Sequence, residues 1–320
     1  MKEYLFGHIM DSYWWHITEI GGRELSIPLP VIAFTREHGA QVFLSSRIEH
    51  EGSSYNGLSI APSLAPYEGK LVETLSDGST VRPIDLSITK NVLALMISAA
   101  ILVWLILACS RWYLRHDVLK ESPTGIAALL EPVIVMINDE VIKDSIGEGY
   151  EKYSPYLLTA FFFILINNLL GIVPFFPGGA NVTGNIAVTL ALALFTFLAV
   201  NIFGSKHYYK DIFWPDVPVF LKAIPIMPVI EFIGVFTKPF SLMIRLFANI
   251  LAGHILLLSV IGMIFITAKM GAVLNGSLSV VAVIFGVFMD CLELLVAFIQ
   301  AYVFTMLSSV FIGMAHPKSE

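Results

Sequence analysis

The chain has 320 residues, of which 56% are hydrophobic and 14% charged, with a mean hydropathy of +0.77 and a formal net charge of −6. An average soluble domain carries roughly 25% charged residues, so the composition is that of an integral membrane protein, and the acidic balance excludes a basic surface for nucleic acid. Two cysteines, Cys109 and Cys291, both in apolar segments, and scattered histidines form neither a disulfide framework nor a metal motif, so neither a metal nor a cofactor is expected.

Residues 1–88 hold most of the turn signals and charge, with short runs such as LSIPLPVIAF and AQVFLSS broken by Gly, Ser and Pro. They read as a small β-rich extramembrane domain. Asp and Glu outnumber Lys and Arg there, which disfavours packing on an anionic cytoplasmic leaflet. Trp14, Trp15 and His16 read as core or interface packing rather than as a site. Moving about 90 polar residues outward normally needs an export signal. MKEYLFGHIMDSYWWHI has no apolar h-region or cleavage site, so the natural start is expected upstream of Met1.

Residues 89–320 read as the membrane domain. The first span is Asn91–Cys109, followed by Arg111, Arg115 and Lys120; by the positive-inside rule that end is cytoplasmic. Ile126, Leu129, Leu130, Val133, Ile134, Ile137 and Val141 then recur at helical spacing opposite Glu131, Asn138, Asp139 and Asp144. This predicts an amphipathic helix, lying in the interface plane or packed on a partner. Ser154–Phe203 contains no Asp, Glu, Lys or Arg and carries PFFPGGAN in its middle, which predicts a two-span hairpin with an outer turn. Ser205–Lys222, with Lys206, Lys210 and Lys222, returns the chain to the cytoplasm. Two long apolar helices follow, Met227–Ala268 and Leu278–Ile312. The expected fold class is therefore an all-α integral membrane protein with five crossings, a long oblique hairpin, an interfacial helix and a β-rich N-terminal domain. Its N-terminus is expected in the periplasm and its C-terminus in the cytoplasm.

Between Pro239 and Pro317 only Arg245, Lys269, Asp290 and Glu293 carry charge. Lys269 falls in a connection, but Arg245 lies deep in an apolar run, where a cation costs at least ~2.5–3.5 kcal/mol. An intramembrane ionisable residue points to an ion or proton path, and a guanidinium stays charged at any relevant pH. The 42 residues of Met227–Ala268 would make a helix of ~63 Å, about twice the ~30 Å hydrocarbon core. The helix must either tilt strongly or break near Gly234 and Pro239. An oblique course suits wrapping around a cylindrical partner, and Ala248 and Ala252 offer the small face that close approach needs. In depth, Glu231 belongs near the inner side, Arg245 near the middle and His254 farther out. On the antiparallel partner, Asp290 and Glu293 are expected at the level of His254, with Gln300 at the level of Arg245. Asn249 lies on the face of Arg245. The polar groups thus form an outer and an inner cluster separated by a fixed positive charge, an arrangement suited to a rotary or alternating ion carrier.

PVIEFIGVFTKPFSLMIRLFANILAGHILL, LELLVAFIQAYVFTMLSSVFI and YLLTAFFFILINNLLGIVPF together resemble subunit a of the F-type ATP synthase, across roughly residues 90–315. The resemblance implies a non-catalytic stator subunit of the membrane sector, in the bacterial inner membrane, with two half-channels against a rotating ring of c subunits. It also implies subunit b of the peripheral stalk and the remaining F1F0 ATP synthase subunits as partners. By the family pattern Arg245 is the essential arginine, Glu231 belongs to the inner channel, and Asn249 and Gln300 match its asparagine and glutamine. The outer channel pairs a histidine with a carboxylate, here His254 and Glu293, with Asp290 as a further candidate, in the order that mitochondrial members show. Asn168 and Gly171 stand where some bacterial members have an aspartate. FGHIMDSYWWHI resembles an extension seen in the Bacteroidetes branch. The choice between proton and sodium resides mainly in the ring. The alternatives are a secondary transporter, for which no matching inverted halves occur, and a proton-path subunit of another respiratory complex. No nucleotide-binding motif is present.

Overall fold

The structure, a computed structural model, describes residues 11–315 apart from 21–22, 49–52, 63–64, 66, 118–119, 174–175, 214–225 and 268–270. The chain forms two compact units. One runs to residue 97 and includes residues 173–180; the other comprises 98–172 and 181–320.

In the first unit, β1 (Trp14–Ile20) and β2 (Arg23–Pro28) form an antiparallel hairpin. β3 (Pro30–Thr35) lies between β4 (Gly39–Leu44) and β8 (Ile84–Asp85), and β6 (Leu71–Thr74) between β5 (Leu58–Ile60) and β7 (Thr80–Val81). The run LSIPLPVIAF is divided between β2 and β3 because Pro28 and Pro30 cannot donate to a ladder. Leu29 between them instead bonds to the Tyr13 carbonyl and the Ser45 hydroxyl. The β3–β4 turn closes through Gly39 at φ +68°, a conformation that suits glycine. The turn is pinned by the buried Glu73 carboxylate, which accepts from the backbone amides of Arg36 (2.9 Å) and Glu37 (3.1 Å). Val31, Ala33, Phe43, Leu58 and Leu71 make the core with Tyr13. Trp15 is buried against Phe176, ring centroids 5.2 Å apart, whereas His16 is exposed. This cluster packs as core.

Tyr13 ties the unit together. Its hydroxyl donates to Asp85 (2.5 Å) and accepts from the Leu71 amide (3.2 Å). Burial above all, then Asp85, pushes its phenol well above the ordinary range. A raised acid pKa means that the folded state holds the proton after the unfolded chain has begun to release it near pH ~10. This stability is complete below that pH and is lost as pH rises above it. Tyr13→Phe, which strands the Leu71 amide, is expected to cost about 1–3 kcal/mol at neutral pH and to flatten the alkaline decline. Tryptophan-monitored unfolding at pH 7–11 measures both.

α1 (Lys90–Arg115) extends the predicted first span through Arg111 and Arg115. Its first turn is satisfied by Asp11, whose carboxylate accepts from the Asn91 amide at 3.0 Å, while Lys90 N–H donates to the Ser12 carbonyl. In the second unit, α2 (Ile126–Val135) continues as a π-helical stretch, Met136–Lys143, into a short turn at Asp144–Ile146. The predicted amphipathic face is rotated by this π segment, whose i→i+5 bonds shift the register of side chains. Leu129 is therefore 73% exposed while Ile137, Val141 and Ile142 are buried. The segment packs on its neighbours, sharing a core with Leu157 and Phe161 of α3 (Ser154–Ile172) and Ile312 of α7 (Ala272–Ala315). α4 (Ile186–Ile202) completes the predicted hairpin and is capped by Asn185, which accepts from the Ala187 amide. α5 (Lys206–Phe213) follows.

α6 (Ile226–Thr267) is a single 42-residue helix that passes through Gly234 and Pro239 without a break, so the break expected as one of its two routes does not occur. α1, α3, α6 and α7 are long and apolar enough to cross a membrane; α4, at 17 residues, is a shorter apolar helix.

Near the end of α7, a Cβ added to Gly313 would stand 2.3 Å from the Ser145 carbonyl oxygen, whereas one at Gly286 would meet nothing within 4 Å. Gly313→Ala is expected to displace the Asp144–Ile146 turn and cost about 1–3 kcal/mol, with Gly286→Ala neutral. Thermal unfolding of the two variants in detergent provides the comparison.

Candidate functional site

The site is built on the antiparallel pair α6 and α7. Leu242, Met243, Leu246 and Ile250 of α6 are buried, and the other side of the helix presents Arg245, Ala248 and Ala252, all exposed. These three fall at i, i+3 and i+7, one face of a helix. No ion pair links Arg245 to any described residue of its own chain.

The buried stripe of α7 carries the opposite chemistry. Glu293 is 7% exposed and Gln300 3%, with Ala297 fully buried between them. Asn249 donates its side-chain amide to Gln300 Oε1 at 2.7 Å. One turn farther along α6, Gly253 lies against Glu293, such that an added Cβ would be 3.3 Å from Oε1. The sequence placed Gln300 level with Arg245. In the structure its partner is Asn249, one turn away, because Arg245 turns to the outside. Asp290 is also exposed: a three-residue step rotates it ~60° away from Glu293, enough to leave the interface. The outer pair of carboxylates is thus divided between two faces. His254 follows Gly253 in α6, and its side chain lies outside the described residues.

Along α6, Gly253 is eight residues, ~12 Å, beyond Arg245, and Glu231 is fourteen residues, ~21 Å, before it. Glu231 and Glu293 therefore stand on opposite sides of Arg245 along the axis.

A model of the family described as "ATP synthase A chain" matches residues 92–313. The chain belongs to that family. A second model, for a domain of unknown function, matches residues 4–89. Among similar proteins, "ATP synthase subunit a" of Chloroherpeton thalassium is 43% identical over 236 residues, covering 72% of this chain and 67% of the relative. The protein of that name from Pelodictyon phaeoclathratiforme is 46% identical over 238 residues, covering 72% and 66%. That from Anaeromyxobacter dehalogenans is 38% identical over 275 residues, covering 83% and 66%. The match spans about two thirds of each relative's length. Membership in this family decides against the transporter and the other respiratory complexes.

For a member of the ATP synthase A chain family, two contributors near the site escaped the sequence reading. Tyr208, buried on α5, has its phenol pushed up by burial first, then by Tyr209 and by the charge of the half-buried Glu231. It lies in a segment read only as a charged connection. Asn168 of α3, read as the gap left by a missing carboxylate, is buried, donates to the Ala297 carbonyl (3.3 Å) and accepts from Thr183 (2.7 Å). It braces α7 between Glu293 and Gln300. The intervening turn count gives no sequence signal for either contact. Lys238 lies over the Phe311 ring at 5.7 Å, consistent with a snorkelling side chain. Among the described residues, no group of His, Cys, Asp and Glu is arranged to hold a metal ion.

Proposed function

We propose that this chain is the proton-translocating stator subunit of the membrane sector of an ATP synthase. It makes five crossings, with α4 as the shorter one, its β-rich domain (1–88) in the periplasm and its C-terminus in the cytoplasm, and a ring of c subunits, subunit b of the peripheral stalk and the remaining synthase subunits as partners. The observation that carries this reading is the division of labour on α6 and α7: a permanent cation on an exposed small-residue face, and on α7 a buried carboxylate, Glu293, and a buried amide, Gln300, which accepts from the exposed Asn249 of α6.

A ring carboxylate that has lost its proton to the inner path, marked by Glu231, is attracted to Arg245, which stabilises the anion in a poorly polarisable site. It is then protonated through the outer path, formed by His254 and Glu293, and moves into lipid as a neutral group. Arg245 does not deprotonate, so protons cannot pass it directly. Asn249 and Gln300 hold the hairpin together between these levels, and no covalent chemistry takes place in this chain.

Two experiments test this. Purification of the native complex is expected to bring down a proteolipid ring and nucleotide-binding subunits, and Ala248→Cys and Ala252→Cys are expected to cross-link to the ring; failure of both rejects the assignment. Asn249→Leu is expected to leave the buried Gln300 carbonyl unpaired, at about 1–3 kcal/mol, and Asn249→Leu and Glu231→Gln are each expected to slow ATP-driven acidification of vesicles without abolishing it. Loss of assembly would make these groups structural rather than part of the path.

A further inference from the structure

We infer that the outward face of the β4–β3–β8 sheet is a membrane-docking surface that rests on lipid at the boundary where α1 begins. A half-solvated antiparallel sheet ordinarily alternates apolar inward and polar outward residues. Here Val31, Ala33 and Phe43 point into the core, yet the outward positions are apolar as well. Ile32 is opposite Val42, Pro30 opposite Leu44, and Phe34 lies between Ala40 and Ile84. The amides of Leu86 and Ile88 donate to the carbonyls of Ile32 and Pro30 and carry the same register onward. No outward position on the three strands holds a charged or hydrogen-bonding side chain. Val42 is 72% exposed, Ile84 68% and Leu86 61%. A continuous apolar patch of this kind marks an interaction surface.

The occupant follows from the chain's own continuity. Ile88 stands two residues before Lys90, the first residue of the apolar helix α1, and four residues from Leu86 to Lys90 reach at most ~14 Å. No flexible linker intervenes, because Ser12 and Asp11 bond to the amides of Lys90 and Asn91. Within the same unit, Trp15 holds Phe176, in the connection between the apolar helices α3 and α4. The domain is therefore tied to two places where apolar helices end, within reach of the headgroup layer. An uncharged face of Phe and branched aliphatics suits the boundary between headgroups and acyl chains. A hydrated or charge-paired partner would leave these residues unmatched.

The test uses the full chain with Cys109→Ser and Cys291→Ser, carrying a single fluorophore at Val42→Cys, Ile84→Cys or Leu44→Cys, and at the exposed Glu68→Cys as the water-facing comparator. The cysteine positions on the sheet lie outside the core, and having three of them guards against one variant failing to fold. In phosphatidylcholine–phosphatidylglycerol vesicles, lipids bearing a shallow nitroxide are expected to quench the sheet positions at least about twofold more than position 68. A water-soluble maleimide is expected to react at least about tenfold more slowly at those cysteines than at position 68. Rapid labelling without quenching would show the face open to water. Slow labelling without quenching would show it covered by protein, a second copy or another subunit. Either result overturns the inference.

Discussion

Arg245→Ala is expected to reduce ATP-driven proton pumping and gradient-driven ATP synthesis to background while the complex remains assembled. Arg245 is exposed on α6, and the packing of that helix rests on Leu242, Met243, Leu246 and Ile250, so truncation removes charge from a surface without opening a cavity. On the proposed mechanism, what is lost is the counter-charge for the ring carboxylate and the barrier between the two half-paths. Arg245→Lys is expected to fail nearly as badly, by at least about tenfold, because an ammonium is more strongly hydrated than a guanidinium and deprotonates when buried. Acidification of vesicles and gradient-driven synthesis measure both variants. Near wild-type synthesis in Arg245→Ala vesicles would falsify the barrier mechanism.

The outer path provides the second large effect. Glu293 is buried beside Gly253, immediately before His254 in α6, so positions 254 and 293 belong to one level of the hairpin. His254→Glu or Glu293→His alone leaves like-charged or unpaired groups in a poorly solvated place, and each is expected to lower acidification by at least about tenfold. The double variant restores one carboxylate and one imidazole in the opposite order and is expected to recover part of the rate. No recovery above the worse single variant would dissolve the pair and leave Asp290, on the exposed face, as the remaining outer carboxylate.

The neighbouring contacts indicate how tightly this level is packed. A Cβ at position 253 would press on Glu293 Oε1 at 3.3 Å, so the carboxylate must give by a few tenths of an ångström for any larger residue there. Asn168, itself held by a hydrogen bond from Thr183, reaches α7 from the other side by donating to the Ala297 carbonyl. Glu293 is thus enclosed by the packing of α6 on one flank, and α7 is stiffened by α3 on the other, which holds the carboxyl away from the exposed face that carries Arg245.

Chemistry along the chain was legible without coordinates wherever the signal is local. Hydrophobic run length alone specifies α1, α3, α6 and α7, because a membrane admits only long stretches whose backbone bonds are satisfied internally. The charge-poor background makes Arg245 and Glu293 stand out, since a cation or anion at that depth is costly to keep. Their axial order with Glu231 follows from helical rise and antiparallel pairing. Rotation about the helix axis was decided only by tertiary packing. A π segment redirects Leu129, a three-residue step sends Asp290 outward while Glu293 turns inward, and one turn separates Arg245 from the amide that holds Gln300. The close approach of Gly313 to Ser145 and the brace from Asn168 likewise arise between segments far apart in the chain. Hydropathy and rise set depth one residue at a time, whereas facing depends on which neighbours compete for each side of a helix, and that competition exists only once the helices are packed.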